Sequence, residues 1–366
     1  MTFPSTVSLR HVPYGELKYV PFDFGLSNDQ ELRAEGLHKK SIIFDCLQSS
    51  TFTDEYFQYV KDSGVTVVQK TISHVDPQTA LGCIFDWNKK LKRNHKVAIG
   101  PVFDFEDLKK AKEQGKTAYI YGFQNTVAYG YGELNWVKVF YDLGIRIVQL
   151  THNWRNMVAD GCAEFSNVGL SEYGKRVVDE LNRLKVIVDV SHVGDQSTKE
   201  AIERAEIVVA SHSNARSVCD NKRNKTDEDI KAIAEKDGVI GMNSMPSACK
   251  YTKMDEGIRP DINDLLDHVD YLVKLVGVDY VGIGFDLIDV WPAEKNAGST
   301  NSAPQIYGTT YPMEGTTAGI WPYAEGIDSV VQFLNMTRGL VSRGYSDQEI
   351  QKILGLNWMR VFKRVL

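Results

Sequence analysis

The sequence predicts an α/β protein built on a single (β/α)8 barrel of the TIM type, with an N-terminal extension and a long loop after the eighth strand. Eight short runs rich in Val and Ile recur along the 366 residues, and segments with helical periodicity separate them. This alternation is typical of parallel strands joined by crossover helices. A doubly wound open sheet is the competing fold, but eight ordered strand–helix units without a glycine-rich phosphate loop favour the barrel.

The predicted strands are short and mostly apolar, as expected for a parallel sheet that is covered on both faces. No linker divides them, so the whole repeat is interpreted as one domain. The eight runs are Ser41–Asp45, Val65–Gln69, Thr117–Tyr121, Ile145–Leu150, Val186–Val190, Ile207–Ala210, Gly238–Met242 and Tyr280–Gly284.

Helices are predicted between the strands and after the last one. In the clearest example, apolar residues recur at spacings of three and four between Asp261 and Val276, which places them on one helical face. Near the C-terminus, Ser346 and Glu349 have the spacing of a capping box. Further helical segments are predicted at Ser171–Leu184, Ser197–Ala205, Asp328–Leu340 and Ser346–Leu366.

Two segments lie outside the repeat. Residues 1–40 are predicted to form an N-terminal extension packed on the barrel, which itself spans residues 41–366. A long loop, residues 287–327, is rich in Gly, Pro and Thr and lacks helical periodicity. Loops of this length are commonly functional or disordered. Because the loop also carries several Tyr and Trp residues, we expect a lid over the end of the barrel.

Charge and hydropathy argue against several classes of partner. The chain has 42 basic and 48 acidic residues, and its net charge of −6 does not favour a nucleic-acid partner. No apolar run approaches the roughly 20 residues of a membrane span, so no membrane partner is expected. The five cysteines form no Cys-x-x-Cys pair, and no secretory signal follows Met1. A cytoplasmic protein that acts on a small molecule is the resulting expectation.

Three of the eight histidines lie just after predicted strands, at positions 152, 192 and 212, and Asp286 follows the last strand. In such barrels, catalytic groups lie where the strands end. Neighbouring strands are about 4.8 Å apart, so His192 and His212 are able to bind one ion at about 2.1 Å each. The alternative for any one histidine is a polar residue that hydrogen-bonds to loop backbone. His268, inside a predicted helix, is interpreted as a packing residue.

Several motifs around these residues occur in the order of a known family. They are Gln149–Asn153 (QLTHN), Val190–Val193 (VSHV), Ala210–Cys219 (ASHSNARSVC), Lys222–Asn224 (KRN), Asp267–Asp270 (DHVD), Val281–Asp286 (VGIGFD) and Leu340–Trp358. On these motifs the chain resembles the membrane (renal) dipeptidases, peptidase family M19, a metallopeptidase branch of the amidohydrolase-type barrels. The resemblance runs from about Ser41 to the end and implies the same fold and a homodimer.

The resemblance also implies roles for individual residues. His192 and His212 match two histidines that hold one of the family's two zinc ions. His152 matches a histidine that contacts the scissile group, and Asp286 matches an aspartate that transfers a proton. Arg223 matches an arginine that binds the substrate's carboxylate, a role that suits a planar guanidinium with two parallel donors.

The sequence departs from the family at the other zinc ion. The family's first strand ends in His-x-Asp, and the corresponding residues here are Leu47 and Ser49. Residues two apart on a strand face the same side, so both ligands are lost from one wall. Gln124 replaces a bridging glutamate, and an amide lacks the negative charge that holds two cations about 3.5–4 Å apart. The two-zinc centre is therefore predicted not to form.

The remaining groups leave three functions open. His192, His212 and the Gln124 carbonyl oxygen, with Asp286 as a further ligand, are candidates to hold one zinc ion. The first function is a one-metal hydrolase of an amide or related bond, in which Asp286 accepts a proton and His152 stabilises the oxyanion. The second is a metal-independent acid–base enzyme, such as a lyase, a decarboxylase or a ring-opening enzyme, that acts on a small carboxylated substrate. Its acid–base groups would be the three histidines, Asp286 and Asp45, and Asp45 is also a candidate to bind substrate. The third is a catalytically silent binding protein.

Overall fold

Parallel strands and the helices between them form an α/β barrel, and the predicted fold is confirmed. The computed structural model describes residues 17–72, 75–130, 132–289 and 323–366. The strands are β1 Phe44–Gln48, β2 Val67–Thr71, β3 Ala98–Ile99, β4 Thr117–Phe123, β5 Ile145–Gln149, β6 Ile187–Asp189, β7 Val208–Val209, β8 Ile240–Met242 and β9 Val281–Ile283.

The strands follow the order β7-β6-β5-β4-β2-β1-β9-β8 in one sheet. A parallel bridge between Ala210 and Ile240 joins the two ends of this order and closes the barrel. All eight predicted strands are present. The short β3, which pairs only with β4, was not predicted, because two residues are too few to show a strand pattern.

Thirteen α-helices lie in the described part of the chain. They are α1 Asn28–Lys40, α2 Asp54–Asp62, α3 Pro77–Arg93, α4 Phe105–Glu113, α5 Asn135–Asp142, α6 Glu172–Arg183, α7 Asp195–Arg204, α8 Asp227–Glu235, α9 Pro246–Asp255, α10 Ile262–Val276, α11 Phe333–Ser342, α12 Asp347–Gln351 and α13 Asn357–Phe362. Short 3-10 helices span Thr126–Tyr129, Val278–Tyr280 and Val330–Gln332, and a π-helical segment, Lys352–Leu356, joins α12 to α13. None of the helices described is both long and apolar enough to span a lipid bilayer.

Helix ends agree closely with the sequence where a side chain caps them. Ser171 and Asp261 are the N-caps of α6 and α10, and the capping box of Ser346 with Glu349 is present at α12. Two predicted starts are wrong. Helix α7 begins at Asp195, two residues before Ser197, because Gly194 caps it through backbone alone. Helix α11 begins at Phe333, since a 3-10 turn precedes it.

One end of the barrel is filled by the C-terminal helix α13. Its Trp358 is fully buried and donates a hydrogen bond from Nε1 to the carbonyl oxygen of Ile283, at 2.9 Å. A methyl group at Gly282 would lie 2.4 Å from that Nε1 atom, so the strand needs glycine there. Phe362 of the same helix stacks on Phe44 at the start of β1, with ring centroids 4.9 Å apart. These contacts leave the carboxyl ends of the strands open for a site.

The N-terminal segment packs against α11. Arg338 forms an ion pair with Glu31 of α1, and its Nη1 donates to the carbonyl oxygen of Phe22 at 2.6 Å. The division at residue 40 stays a prediction. The predicted lid lies largely outside the described residues, together with four of its aromatic residues, Trp291, Tyr307, Tyr311 and Trp321. Tyr323 at its end is described, and its hydroxyl donates to the carbonyl oxygen of Asp286 at 3.0 Å.

Candidate active site

Four candidate residues occupy equivalent places in the barrel. His152, His192, His212 and Asp286 each come three residues after the last residue of a strand, namely β5, β6, β7 and β9. Since parallel strands end at the same rim, this equal offset gathers the side chains. The ring centroids of His152 and His192 lie 4.1 Å apart, and those of His192 and His212 lie 5.0 Å apart. The structure therefore brings the three imidazoles together, as the sequence predicts.

His192, His212 and Asp286 form a candidate metal site. One ligand atom from each lies within 4.8 Å of the others, and all three residues are buried. The Nε2 atoms of both histidines are buried and have no hydrogen-bond partner. Buried polar atoms without partners are uncommon unless a ligand satisfies them. Within the described residues, this is the one cluster of His, Cys, Asp and Glu with such geometry.

The other ring nitrogen of each histidine is held by a neighbouring side chain. Nδ1 of His192 lies 2.6 Å from Oδ1 of Asn153, and Nδ1 of His212 lies 2.6 Å from Oγ of Ser211. The Ser211 hydroxyl in turn donates to Oδ2 of Asp189 at 2.5 Å. Outer partners of this kind fix the tautomer that carries its lone pair on Nε2, which is the atom that a metal ion binds. The residues present fit a divalent cation.

The site's electrostatics keep the imidazoles of His192 and His212 neutral. Burial, followed by the positive charge of Arg223, lowers the pKa of both His192 and His212 well below the usual histidine value. Burial raises the pKa of Asp286 to about 6, although Arg223 and the Ser49 hydroxyl oppose this rise. Neutral imidazole is the form that binds metal ions.

Two site residues adopt backbone conformations that favour glycine. The φ angles are 62° at His192 and 60° at Asp286. Left-handed backbone costs about 1–3 kcal/mol for a side chain other than glycine, and it concentrates at functional sites. At each of these residues the turn brings the side chain into the cluster of buried ligand atoms.

The wall that corresponds to the family's second metal position carries neutral groups. Leu47 is fully buried, and the Ser49 hydroxyl donates to Oδ1 of Asp286 at 3.3 Å. Gln124 is half-buried, and its backbone carbonyl oxygen accepts a hydrogen bond from Nε2 of Gln149 at 2.7 Å. Ser49 therefore lies beside the candidate ligand Asp286 without supplying a negative charge of its own.

A cavity of about 580 Å³ opens at this rim. Gln124, His152 and Asp286 line it, together with Ser49 and Trp87. This volume is suited to a small molecule. Of the other candidate residues, four are buried and do not line this cavity, namely Asp45, Arg223, His192 and His212.

Arg223 is buried with donors that have no partner. Only 2% of the residue is exposed, and its Nη2 donates to the carbonyl oxygen of His212 at 3.1 Å. Its Nε and Nη1 atoms are buried without hydrogen-bond partners. A guanidinium with two unmatched donors beside the histidine cluster fits the binding of a carboxylate.

Asp45 lies deeper than the sequence-based interpretation assumed. Its Oδ1 accepts a hydrogen bond from the Phe285 backbone at 3.1 Å, and Oδ2 is buried without a partner. Burial raises the pKa of this carboxyl to about 8. The structure thus ties Asp45 to the backbone just after β9, and its proposed contact with substrate stays a prediction.

Sequence reasoning missed Lys70, which also lines the cavity. This residue belongs to β2 and is only 5% exposed. The signal was present, because Lys70 is a charged residue inside a run that is otherwise suited to a buried strand.

Comparison with known proteins identifies the family. The model of the membrane dipeptidases, peptidase family M19, matches residues 64–300, well over half of the chain. The chain belongs to the membrane dipeptidase family. Membership confirms the resemblance inferred from the motifs around His192 and His212.

Proteins similar to this member of the membrane dipeptidase family differ in sequence identity and in the share of each chain that aligns. Dipeptidase 3 of Mus musculus is 28% identical over 236 residues, which are 63% of this chain but only 41% of that protein. An uncharacterized dipeptidase of Schizosaccharomyces pombe is 24% identical over 361 residues, 95% of this chain and 76% of that protein. The crystal structure of an amidohydrolase from Pseudomonas aeruginosa, 33% identical, superposes with a TM-score of 0.80 and covers 91% of this chain and 98% of that chain.

Proposed function

We propose that the protein is a metal-dependent hydrolase that cleaves an amide or related bond in a small substrate bearing a carboxylate, and that it uses one metal ion. Membership of the membrane dipeptidase family supports hydrolysis. The main support for binding of one ion is that the Nε2 atoms of His192 and His212 are buried beside Asp286 and have no hydrogen-bond partner. The neutral Leu47, Ser49 and Gln124 supply no comparable site for a second ion.

A divalent cation held by these residues would polarise the scissile carbonyl and favour attack by water. Three side chains of the protein would have separate roles in the reaction. The Arg223 guanidinium binds the substrate's carboxylate through its two unmatched donors. His152, which lines the cavity and stacks on His192, donates to the oxygen that gains negative charge. Asp286 lines the same cavity and accepts the proton that the attacking water loses.

We further propose that the ion is zinc, because two imidazoles and one carboxylate are a donor set typical of zinc in hydrolases. None of the five cysteines is in a disulfide bond, which favours a reducing, cytoplasmic environment. A homodimer is proposed from the family resemblance, and sedimentation analysis of the purified chain tests it directly.

Elemental analysis combined with hydrolysis assays tests the main proposal. Protein purified without chelators is expected to hold about one zinc per chain and to hydrolyse at least one compound in a panel of N-acyl amino acids, dipeptides and lactones. His192→Ala should lose both the metal and the activity. His95→Ala, which changes an exposed histidine, is the matched control and should retain both.

Two results would contradict the proposal. An active protein that binds no metal, and whose activity survives His192→Ala, indicates acid–base chemistry without a metal. A protein that binds carboxylates but turns over no member of the panel indicates a binding protein.

A further inference from the structure

Lys70 places a buried positive charge in the wall of the candidate active site. It is the fourth residue of β2, it is 5% exposed, and it lines the same cavity as His152 and Asp286. A lysine is rarely this buried unless its ammonium group has specific partners. The contacts of Nζ show what holds it there.

The ammonium group is held at the end of β1. Nζ donates to the carbonyl oxygens of Gln48 and Ser50, each at 3.1 Å. These two carbonyls flank Ser49, whose hydroxyl donates to Asp286. The positive charge therefore lies beside the end of β1, next to Ser49, one of the two residues that correspond to the family's metal-binding His-x-Asp pair.

Aromatic rings support the same position. Nζ lies 5.3 Å from the centroid of the Trp87 ring and 5.7 Å from that of Phe52. An ammonium over an aromatic face is attracted by the negative face of the ring, more strongly where water is excluded. The backbone carbonyls and the two rings together hold the cation in place with little bulk water around it.

We propose that the Lys70 ammonium takes the place of the family's second metal ion, as a fixed cation that binds the negative charge of the substrate on the β1 side of the cavity. This inference rests on the proposed one-metal hydrolase. It also accounts for the changed residues, because an ammonium repels a divalent cation and is compatible with Leu47, Ser49 and Gln124. The candidate ligands His192 and His212 follow β6 and β7, whereas the ammonium is held at the end of β1.

Restoring the lost ligands tests whether Lys70 excludes a second ion. We expect the triple variant Leu47→His, Ser49→Asp, Gln124→Glu, equilibrated with zinc, to keep about one ion per chain while Lys70 is present. Adding Lys70→Met to this variant should raise the content toward two. Adding Lys90→Met instead, which removes another lysine of the same cavity, should leave it at one. Two ions in the triple variant, or one ion after Lys70→Met is added, would overturn the proposal.

Anion binding gives a second measurement that needs neither metal nor these multiple changes. Inorganic phosphate is titrated calorimetrically into metal-free protein, since a charge-assisted hydrogen bond should contribute to its affinity. Lys70→Met is expected to raise the Kd for phosphate about tenfold, which corresponds to roughly 1.4 kcal/mol. Lys70→Arg should restore most of the affinity, and Lys90→Met should change it less than twofold. An unchanged Kd in Lys70→Met would overturn the proposal.

Different results would contradict the proposed hydrolase function and the proposed role of Lys70. If the wild-type protein binds no zinc and hydrolyses nothing, the proposed function fails, although phosphate binding still reports on Lys70. If the wild-type protein binds one zinc and hydrolyses a substrate, but Lys70→Met binds phosphate as tightly as wild type does, only the role of Lys70 fails.

Discussion

Nδ1 of His192 lies 2.6 Å from Oδ1 of Asn153, a residue that follows the cavity-lining His152 directly in the chain. Thus one short segment after β5 supplies both a group that faces the cavity and the partner that orients a candidate metal ligand. Because Nδ1 is engaged, the ring presents Nε2, which has no hydrogen-bond partner. The geometry of the candidate metal site therefore depends on a side chain that is not itself a ligand.

Replacing Asn153 should weaken metal binding without removing a ligand. In Asn153→Leu, the His192 ring loses the acceptor that fixes its tautomer, so we expect the Kd for zinc to rise about 10- to 100-fold. Competition with a chelating dye measures this constant. Asn135→Leu, at an exposed position in α5, is the matched control and should bind zinc as the wild type does. Equal affinities in the wild type and Asn153→Leu would show that Asn153 does not position the ring.

Arg223 should strengthen substrate binding through the N–H donors of its planar guanidinium group. In Arg223→Lys the charge remains, but the two unmatched donors Nε and Nη1 are lost. We expect KM for a carboxylated substrate to rise at least about tenfold, with a smaller change in kcat, because a bidentate hydrogen bond to a charged group contributes about 1.5–3 kcal/mol. Steady-state kinetics on the best substrate of the panel measure both constants.

The neighbour Lys222 provides a control for charge alone, since it is exposed and adjacent in the chain. Lys222→Met should leave KM within about twofold of the wild-type value, as expected for a solvated surface charge. A fall in kcat at constant KM in Arg223→Lys would instead assign Arg223 to the transition state, against the role proposed here.

The rim of the barrel could be predicted from sequence because its residues follow a simple rule. His152, His192, His212 and Asp286 come at one fixed offset after strands whose apolar runs are easy to recognise. The rule needs no knowledge of side-chain contacts, since parallel strands of a barrel all end at the same rim.

Other parts of the site depend on local geometry that no periodic pattern encodes. The left-handed backbone at His192 and Asp286 has no glycine to reveal it. The pairing of β1 with β2 shifts register between Asp45 and Gln48, so strict alternation does not describe the side chains there. The charge of Lys70 beside a buried strand is visible in the sequence, but the backbone carbonyls that hold its ammonium group at the end of β1 are not.

Because Trp358 packs closely against β9, a single methyl group added at Gly282 should destabilise the folded protein. In Gly282→Ala, the new Cβ would lie 2.4 Å from Nε1 of Trp358, which cannot shift without losing its hydrogen bond to Ile283. We expect a loss of about 1–3 kcal/mol or more in the free energy of unfolding, as is typical of overpacked cores. Urea denaturation measures it.

Gly82 provides the matched control for Gly282→Ala. It lies inside α3, and a Cβ built there meets no atom within 4 Å. Because alanine is the better helix former, Gly82→Ala should raise the free energy of unfolding by up to about 1 kcal/mol. A similar loss of stability in both variants would show that the close approach of Trp358 is not the cause.

The buried carboxyl of Asp45 predicts a pH dependence of stability with a definite sign. Its pKa is about 8 in the folded protein, because burial raises it from the ordinary value of 3.8. Between these values the folded protein binds a proton that the unfolded chain has released. The stabilisation from Asp45 is therefore complete below about pH 4 and is lost as the pH rises toward 8, at up to about 1.4 kcal/mol per pH unit.

Asp45→Asn should remove this dependence. The amide keeps an Oδ1 acceptor for the Phe285 backbone and does not ionise. Urea denaturation of both proteins at pH 5, 6.5 and 8 measures the difference in their free energies of unfolding, which cancels the titration of all other groups. We expect this difference to shift steadily in favour of Asp45→Asn as the pH rises. A constant difference would mean that the Asp45 carboxyl keeps the same protonation state in the folded and unfolded protein across this range.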